Sequence, residues 1–142
     1  MYIIKTSELL SGKAITSELT CLELVKSITD DVFETKLHFI MAAFTHNYKI
    51  EFSFDKANEE CLYIMVEEYF TKRKKQNLNI EFIDDIHILR QHIDMVKEKF
   101  KSNILKNNSL QINGLELIFD EGIVDSIYYF PKIATGNTLL ND

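Results

Sequence analysis

Hydrophobic and polar residues alternate most regularly along residues 48–54. Aromatic or aliphatic residues take every second position there, and polar or charged residues take the positions between them. Because successive side chains of a strand point to opposite faces of a sheet, this pattern predicts a half-buried strand. Residues 2–5 and 78–83 are short segments rich in aliphatic and aromatic residues. We predict a strand in each of them as well.

Apolar residues at helical spacing predict helices over residues 17–29, 31–46 and 56–75. The first contains the pattern of a capping box, in which Thr20 and Glu23 would satisfy free backbone N–H groups. The third follows Asp55, a residue type that favours the N-cap. It also carries acidic residues early and basic residues late, which is the order that the helix dipole favours.

Residues 36–44 allow a second interpretation. Leu37, Phe39 and Met41 alternate with other residues, which is the period of a strand, and the segment would then be the first strand of a hairpin. Two consecutive alanines in the same segment favour the helix. The sequence leaves both interpretations open.

The longest regular pattern predicts a helix over residues 85–107, whose apolar residues recur every three or four positions. Asp84 and Asp85 are suited to its N-cap, and Asn107 and Asn108 to its end. The apolar seam is shorter than about three heptads, which is short for a free-standing coiled coil. We therefore expect the helix to pack on a sheet, while a homodimer stays open.

The last third of the chain predicts a hairpin and one more strand. Asn113 and Gly114 suit a tight two-residue turn between alternating segments within residues 110–119. A further strand over residues 123–130 ends at Pro131. The sequence thus predicts an α+β fold, with an antiparallel sheet that ends in a three-stranded meander and about four helices packed against it.

Composition indicates one ordinary globular domain over residues 1–142, with a frayed tail at residues 134–142. The chain is 46% hydrophobic and 27% charged, which is enough apolar surface for a core. No basic segment followed by an apolar stretch marks a secretory signal. No apolar run approaches the ~20 residues that cross a bilayer. We therefore expect a cytoplasmic protein that does not enter a membrane.

Cysteine and histidine residues offer no metal site. Cys21 and Cys61 stand alone in apolar surroundings, so we expect two buried reduced thiols, since zinc ligands come in closely spaced pairs. His87 and His92 are five residues apart and would point to different sides of a helix. The remaining histidines fit surface or cap positions, and they are His38 and His46. We expect no metal and no cofactor.

No pattern of catalytic residues is visible. The chain lacks a nucleophile elbow, and its four glycines are isolated, so no phosphate-binding loop is present. The adjacent carboxylates Asp84 and Asp85, like Asp120 and Glu121, fit an N-cap and a turn. The sequence predicts a protein that is not an enzyme. The alternative is a small enzyme whose carboxylates or histidines converge only in the folded structure.

The net charge of −6 is unevenly distributed. Acidic residues are in excess in residues 1–70 and 109–142, and basic residues in residues 71–108. The basic run 72–75 could be extended by Lys97 and Lys101. A site for single-stranded nucleic acid needs aromatic residues between its cations, and this run has none. An acidic surface favours a basic protein partner instead. The candidate partner-binding residues are Glu59, Glu60, Glu67 and Glu68, predicted on one helix, and Asp120, Glu121 and Asp125, predicted on the last hairpin.

Residues 114–130 read Gly-Leu-Glu-Leu-Ile-Phe-Asp-Glu-Gly-Ile-Val-Asp-Ser-Ile-Tyr-Tyr-Phe. This segment resembles a hairpin near the end of small bacterial immunity proteins of the contact-dependent inhibition and bacteriocin type. The resemblance implies a cytosolic protein that binds one toxin domain, often a nuclease, and covers its active site or an adjacent surface. A secretion-chaperone-like protein or a phage-encoded inhibitor is the alternative, since each shares the acidity and the α+β composition.

Overall fold

The computed structural model describes residues 1–11, 17–70, 76–101, 105–106, 108–112 and 114–131. Its strands are β1 (Tyr2–Lys5), β2 (Asp31–Glu34), β3 (His38–Phe44), β4 (Tyr48–Asp55), β5 (Cys61–Glu68), β6 (Ile80–Ile83), β7 (Leu105–Lys106), β8 (Ser109–Ile112), β9 (Leu115–Asp120) and β10 (Ile123–Tyr129). Its α-helices are α1 (Thr6–Leu10), α2 (Leu22–Ile28) and α3 (Ile93–Phe100). The α+β class is confirmed, but the prediction of about four helices is wrong, because the described residues form three and are mostly strands.

Eight of the strands form one antiparallel sheet, in the order β2-β3-β4-β5-β10-β9-β8-β7. From one edge to the centre, β2 to β5 follow one another in chain order. From the centre to the other edge, β10 to β7 follow in reverse chain order. The two halves therefore meet where β5 pairs with β10. A separate two-stranded parallel sheet joins β1 to β6, and no sequence pattern predicted it.

One face of the large sheet carries the hydrophobic core. Ile50, Phe52 and Phe54 of β4 are completely buried, and cross-strand neighbours such as Ile64 and Val66 of β5 lie on the same face. The other members of this cluster come from every part of the fold, and they include Ile4, Leu9, Leu22, Val25, Ile80, Ile88, Val96, Leu117, Ile127 and Tyr129. The helices and the small sheet thus contribute to one core, as one domain requires.

The helix predicted over residues 31–46 is wrong, and the strand interpretation of residues 36–44 is confirmed. β2 and β3 pair as antiparallel strands there, and β3 places Met41 opposite Phe52 of β4. Met41 and its second neighbour Ala43 are fully buried on the core face. Alternating burial therefore outweighs the helix propensity of the two alanines.

The helix predicted over residues 56–75 is also wrong, because β5 occupies its centre. The run Leu-Tyr-Ile-Met-Val within β5 consists largely of residues that suit a half-buried sheet. Asp55 ends β4 and stabilises the following turn, where its Oδ1 accepts a hydrogen bond of 2.7 Å from the backbone of Ala57. The predicted basic end of the helix, residues 72–75, lies outside the described residues.

Of the helix predicted over residues 85–107, the described residues form only α3, so the predicted start of this helix is wrong. His87 has a φ of 53° and Arg90 a φ of 69°, and a right-handed helix cannot contain such left-handed residues. Lys101, with a φ of 48°, ends α3 in the same way. Periodicity predicted one continuous helix because the buried and half-buried apolar residues before and inside α3 continue the same spacing.

Asp84 caps a turn rather than a helix. Its carboxylate accepts hydrogen bonds from the backbone of Ile88 at 3.0 Å and of Leu89 at 2.9 Å. The hydroxyl of Thr6, which is fully buried, donates a third at 2.9 Å. The neighbouring Asp85 accepts hydrogen bonds from the backbone and hydroxyl of Ser7. These two carboxylates therefore join the segment before α3 to α1.

The helix predicted over residues 17–29 is divided into a 3₁₀ turn, Ser17–Thr20, and α2. Cys21 is the N-cap of α2 and makes no side-chain cap bond, so the predicted capping box is wrong. Cys21 is also exposed, whereas Cys61 is buried, so the prediction of two buried thiols holds for Cys61 alone.

The strands predicted at residues 2–5, 48–54, 78–83 and 123–130 are confirmed as β1, β4, β6 and β10 within a residue or two. The hairpin predicted within residues 110–119 is confirmed by the antiparallel pairing of β8 and β9. Its turn residue Asn113 and the tail at residues 134–142 lie outside the described residues.

Candidate protein-binding surface

The acidic residues predicted to bind a partner separate into two groups. Glu59 and Glu60 lie in the turn before β5, whereas Glu67 and Glu68 end that strand. An extended strand rises about 3.3 Å per residue, so the two pairs are roughly 25 Å apart. The prediction that these four residues lie on one helix is therefore wrong.

Five of the predicted residues lie at one end of the sheet, because β10 starts beside the end of β5. They are Glu67, Glu68, Asp120, Glu121 and Asp125. Ser126 of β10 is directly opposite Glu67, and the turn between β9 and β10 brings in the others. A pocket of about 200 Å³ lies here, and it is called the acidic pocket below. It is lined by Glu68, Arg90, Asp120, Glu121, Ile123, Val124 and Asp125.

The turn between β9 and β10 is built by two residues in the left-handed region. Glu121 has a φ of 51° and Gly122 a φ of 78°, the conformation of a tight hairpin turn that twists with its strands. Glu121 therefore stands at the tip of the turn with its side chain exposed. A register shift between Val124 and Ser126 leaves Asp125 as the extra residue of a β-bulge, and its side chain is exposed as well.

Arg90 contributes the positive charge of the acidic pocket. Its Nη1 lies 2.8 Å from Oε2 of Glu68. The backbone around it is held to β10, since the N–H of Arg90 donates to the carbonyl of Val124 and the N–H of Val124 donates to the carbonyl of Gln91, both at 2.9 Å. A third hydrogen bond of 2.8 Å runs from Ile93 to the carbonyl of Gly122. The pocket is therefore a fixed part of the fold.

The acidic pocket adjoins the sheet face opposite the core, on which aromatic rings are in contact. The ring centroids of Tyr63 and Tyr128 are 5.2 Å apart, and those of Tyr128 and Phe130 are 6.3 Å apart with nearly parallel planes. Met65 lies beside Tyr128 in the strand register. These four residues, with the carboxylates Glu51, Glu67 and Glu116 on the same face, are called the aromatic face below.

Carboxylates outnumber cations on the aromatic face. Lys49 lies 3.4 Å from Glu51 and 3.9 Å from Glu67. The phenol of Tyr63 donates a hydrogen bond of 2.8 Å to Glu51, so this carboxylate is held on two sides. Glu51 keeps 17% of its side chain exposed and Glu67 keeps 32%, which shows that both are partly withdrawn from water.

Partial burial and mutual repulsion alter the ionisation of this face. Burial raises the pKa of the Glu67 carboxyl, and Asp125 and Glu51 raise it too, although Lys49 opposes them. Burial likewise raises the pKa of Tyr128, and surrounding carboxylates add to the rise. For Tyr63, burial and the hydrogen bond to Glu51 both raise the pKa. The face therefore has a negative potential that a cation would relieve.

The histidines are dispersed. His92 is the N-cap of α3, and its Nδ1 accepts a hydrogen bond of 3.3 Å from the backbone of Asp94. His87 is exposed in the turn before α3, His38 lies on β3 and His46 in the turn after it. No three histidine, cysteine or acidic side chains of the described residues gather where they could hold a metal ion.

Two further candidates for chemistry are accounted for. Burial raises the pKa of the Cys61 thiol to about 12, which keeps it protonated and poorly nucleophilic. Of the cations that could extend a basic band, Lys97 lies in α3 and Lys101 is its left-handed C-cap.

A second pocket, of about 280 Å³, lies between α3 and the preceding turn, with apolar residues that include Ile86, Met95 and Phe100.

Family models, curated proteins and solved structures were compared with the chain, and none of them matches. Within the described residues, no helix is both long and apolar enough to cross a membrane.

The aromatic face is the feature that the sequence prediction missed. Tyr63 and Met65 lay inside the segment predicted as a helix, and Met65 was part of its apolar stripe. The available signal is alternation: when Ile64 and Val66 face the core, Tyr63, Met65 and Glu67 must share the opposite face. A strand with aromatic residues at its outward positions differs from the usual polar outer face.

Proposed function

We propose that this chain is a non-enzymatic inhibitor of the toxin-immunity type, which acts in the cytoplasm and binds a basic toxin domain, such as a nuclease. The observation that carries the proposal is the collection of Glu67, Glu68, Asp120, Glu121 and Asp125 at one end of the sheet. They come from two segments that are distant in the sequence, and the fold gathers their charge at one end of the sheet, close to the half-buried rings of Tyr63 and Tyr128. Such a surface attracts a basic protein and repels nucleic acid.

Rigidity of this surface supports inhibition by coverage. Backbone hydrogen bonds fix the acidic pocket to β10, so little conformational entropy is lost when a folded partner docks on it. The basic partner would meet carboxylates first at long range and aromatic rings afterwards at contact. Steering through charge then sets the association rate, and desolvated contacts set the lifetime of the complex.

The test begins with affinity capture from the source bacterium at low and at moderate salt. Each captured protein is then expressed in a heterologous bacterium with and without this chain. The proposal predicts that one captured basic protein arrests growth and that coexpression of this chain restores growth. If no captured protein is toxic, or if coexpression does not relieve its toxicity, the proposal fails.

A pair of variants with equal charge changes locates the interface. Asp120→Asn with Asp125→Asn removes two charges at the acidic pocket, and Glu59→Asn with Glu60→Gln removes two at the far end of β5. We expect the first pair to lower the association rate constant by about 3- to 10-fold and the second to change it less than about 2-fold. Equal effects of both pairs would mean that only the net charge matters.

The secretion-chaperone alternative has one observation in its favour. The 280 Å³ pocket beside α3 is lined partly by apolar side chains, and Met95 among them is exposed. A chaperone binds an extended segment of an unfolded protein, whereas an inhibitor binds a folded domain. Binding of the denatured but not of the folded toxin would favour the chaperone function.

A further inference from the structure

The sheet face opposite the core, which includes the aromatic face, carries a second group of apolar side chains, distinct from the hydrophobic core. Ala42, Phe44 and Met65 are each 8% exposed or less, yet they do not belong to the core cluster. Strand register places them on the face that also carries Tyr63 and Tyr128. A sheet face that combines rings with carboxylates is unusual for a surface that only meets water, since outward positions are normally polar.

Charge restricts what can bind there. At outward positions of β4, β5, β9 and β10, as far as the chain is described, Lys49 is the one cation, and it pairs with Glu51 and Glu67. Nucleic acid would bring more negative charge and is repelled. A second copy of this chain, docked symmetrically, would place carboxylates against carboxylates. A positively charged segment of another protein is the complementary occupant.

The rings restrict the occupant further. Tyr128 and Phe130 present two nearly parallel rings, 15° apart in orientation. A planar guanidinium stacks on such ring faces, is weakly hydrated, and accepts bidentate pairing with carboxylates. An ammonium group holds its water more strongly and cannot stack in this way. The face is therefore better matched to arginine than to lysine.

We propose that the aromatic face binds arginine side chains of an extended basic segment, which stack on Tyr128 and Phe130 and pair with Glu67 and Glu51. In the cell this segment would belong to the basic toxin domain, so the proposal rests on the proposed function for its partner. The hydrogen bond from Tyr63 to Glu51 fixes that carboxylate beside the rings. A bound cation would also relieve the repulsion among Glu67, Glu51 and Asp125.

The probe is a short peptide of alternating arginine and glycine, with a lysine–glycine peptide and a citrulline–glycine peptide as comparisons. Citrulline keeps the planar shape of arginine without its charge. We expect the arginine peptide to bind with an affinity about 5-fold or more above that of the lysine peptide. The citrulline peptide should bind more weakly still. Equal affinity for the arginine and lysine peptides overturns the proposal.

Variants place the peptide on the face. Tyr128→Leu and Phe130→Leu should each lower the affinity for the arginine peptide by about 3- to 10-fold. Glu67→Gln should also lower this affinity and reduce its dependence on salt. Phe70→Leu is the matched control, because Phe70 is 71% exposed and lies beyond the end of β5. A cooperative thermal unfolding transition shows that a variant is folded. If Tyr128→Leu does not fold, Phe130→Leu provides the test. Unchanged binding in a folded variant overturns the proposal.

The two proposals fail separately. If a toxin is bound and neutralised but the ring variants bind it normally, arginine recognition is wrong and the inhibitor function stands. If the arginine peptide binds the aromatic face but no toxic protein is neutralised, the face is an arginine-binding surface and the inhibitor function is wrong.

Discussion

Glu67 shows at the scale of one residue how a partly buried carboxyl costs stability. Its carboxyl is partly buried near Glu51 and Asp125, and its pKa is raised. A carboxyl with a raised pKa in the folded state destabilises the fold once it is ionised. In the proposed function, attraction of a basic partner offsets this cost, which is a common compromise at binding sites.

Replacement of this carboxyl gives a pH-dependent prediction. Glu67→Gln should increase the free energy of unfolding at neutral pH by a few tenths of a kcal/mol, roughly the size of a solvent-screened charge effect. The gain should vanish as the pH falls below the unfolded pKa of about 4.3, where the wild-type carboxyl is protonated in both states. Urea unfolding at both pH values measures this. A gain that is equally large in acid would mean that packing, not charge, is responsible.

Sequence reasoning could name the charged residues of the candidate site but could not predict their arrangement. Asp120, Glu121 and Asp125 were assigned to the last hairpin because its turn is visible in the sequence, and they lie there. Their proximity to Glu67 depends on the pairing of β5 with β10, which joins segments far apart in the chain. No local pattern contains that information.

Single elements were predicted well when their pattern had one meaning. The regular alternation of β4 left no competing structure, and that strand is present. The predicted pairing of β8 with β9 is present as well. β5 was missed because Leu62, Met65 and Val66 satisfy helical spacing while Ile64 and Val66 also satisfy alternation. Pairing with strands on both sides decides between the two, and that is a tertiary effect.

The turn between β9 and β10 is the element on which the acidic pocket depends. Gly122→Ala should lower the free energy of unfolding by about 1 kcal/mol, because alanine tolerates a φ of 78° poorly. A Cβ there would be 3.7 Å from Nε2 of His92, which is ordinary contact, so the loss is conformational. Chemical denaturation measures it.

Glu121→Gly is the companion substitution for this turn. Glu121 already adopts a φ of 51°, so glycine relieves strain in the folded state while it increases the freedom of the unfolded chain. The two effects should nearly cancel, with a change below about 0.5 kcal/mol. Equal losses in both variants would show that the backbone conformation of the turn is not what makes Gly122 necessary.

At the scale of the whole molecule, the antiparallel sheet has a protected centre and a weak edge. β5 and β10 are paired on both sides, whereas β2 is an edge strand whose four residues are all exposed. Local opening therefore costs most free energy at the centre and least at that edge.

Amide hydrogen exchange tests this distribution of stability. We expect Val66 and Ile127, which face each other across β5 and β10, to exchange by global unfolding. Amides of β2 should exchange at least about 100-fold faster, through local opening. Uniform protection across the sheet would contradict the prediction, and so would faster exchange at Val66 than in β2.

The pairing of β5 with β10 also sets the time at which the surface comes into being. Tyr63 and Glu67 belong to one strand, Tyr128 and Asp125 to the other, and more than a third of the sequence separates them. A ribosome that has just completed β5 has therefore made only half of the surface, and a partner present at that moment has nothing complete to recognise. Under the proposed function, neutralisation of a toxin would begin only when β10 has been synthesised and has joined the sheet.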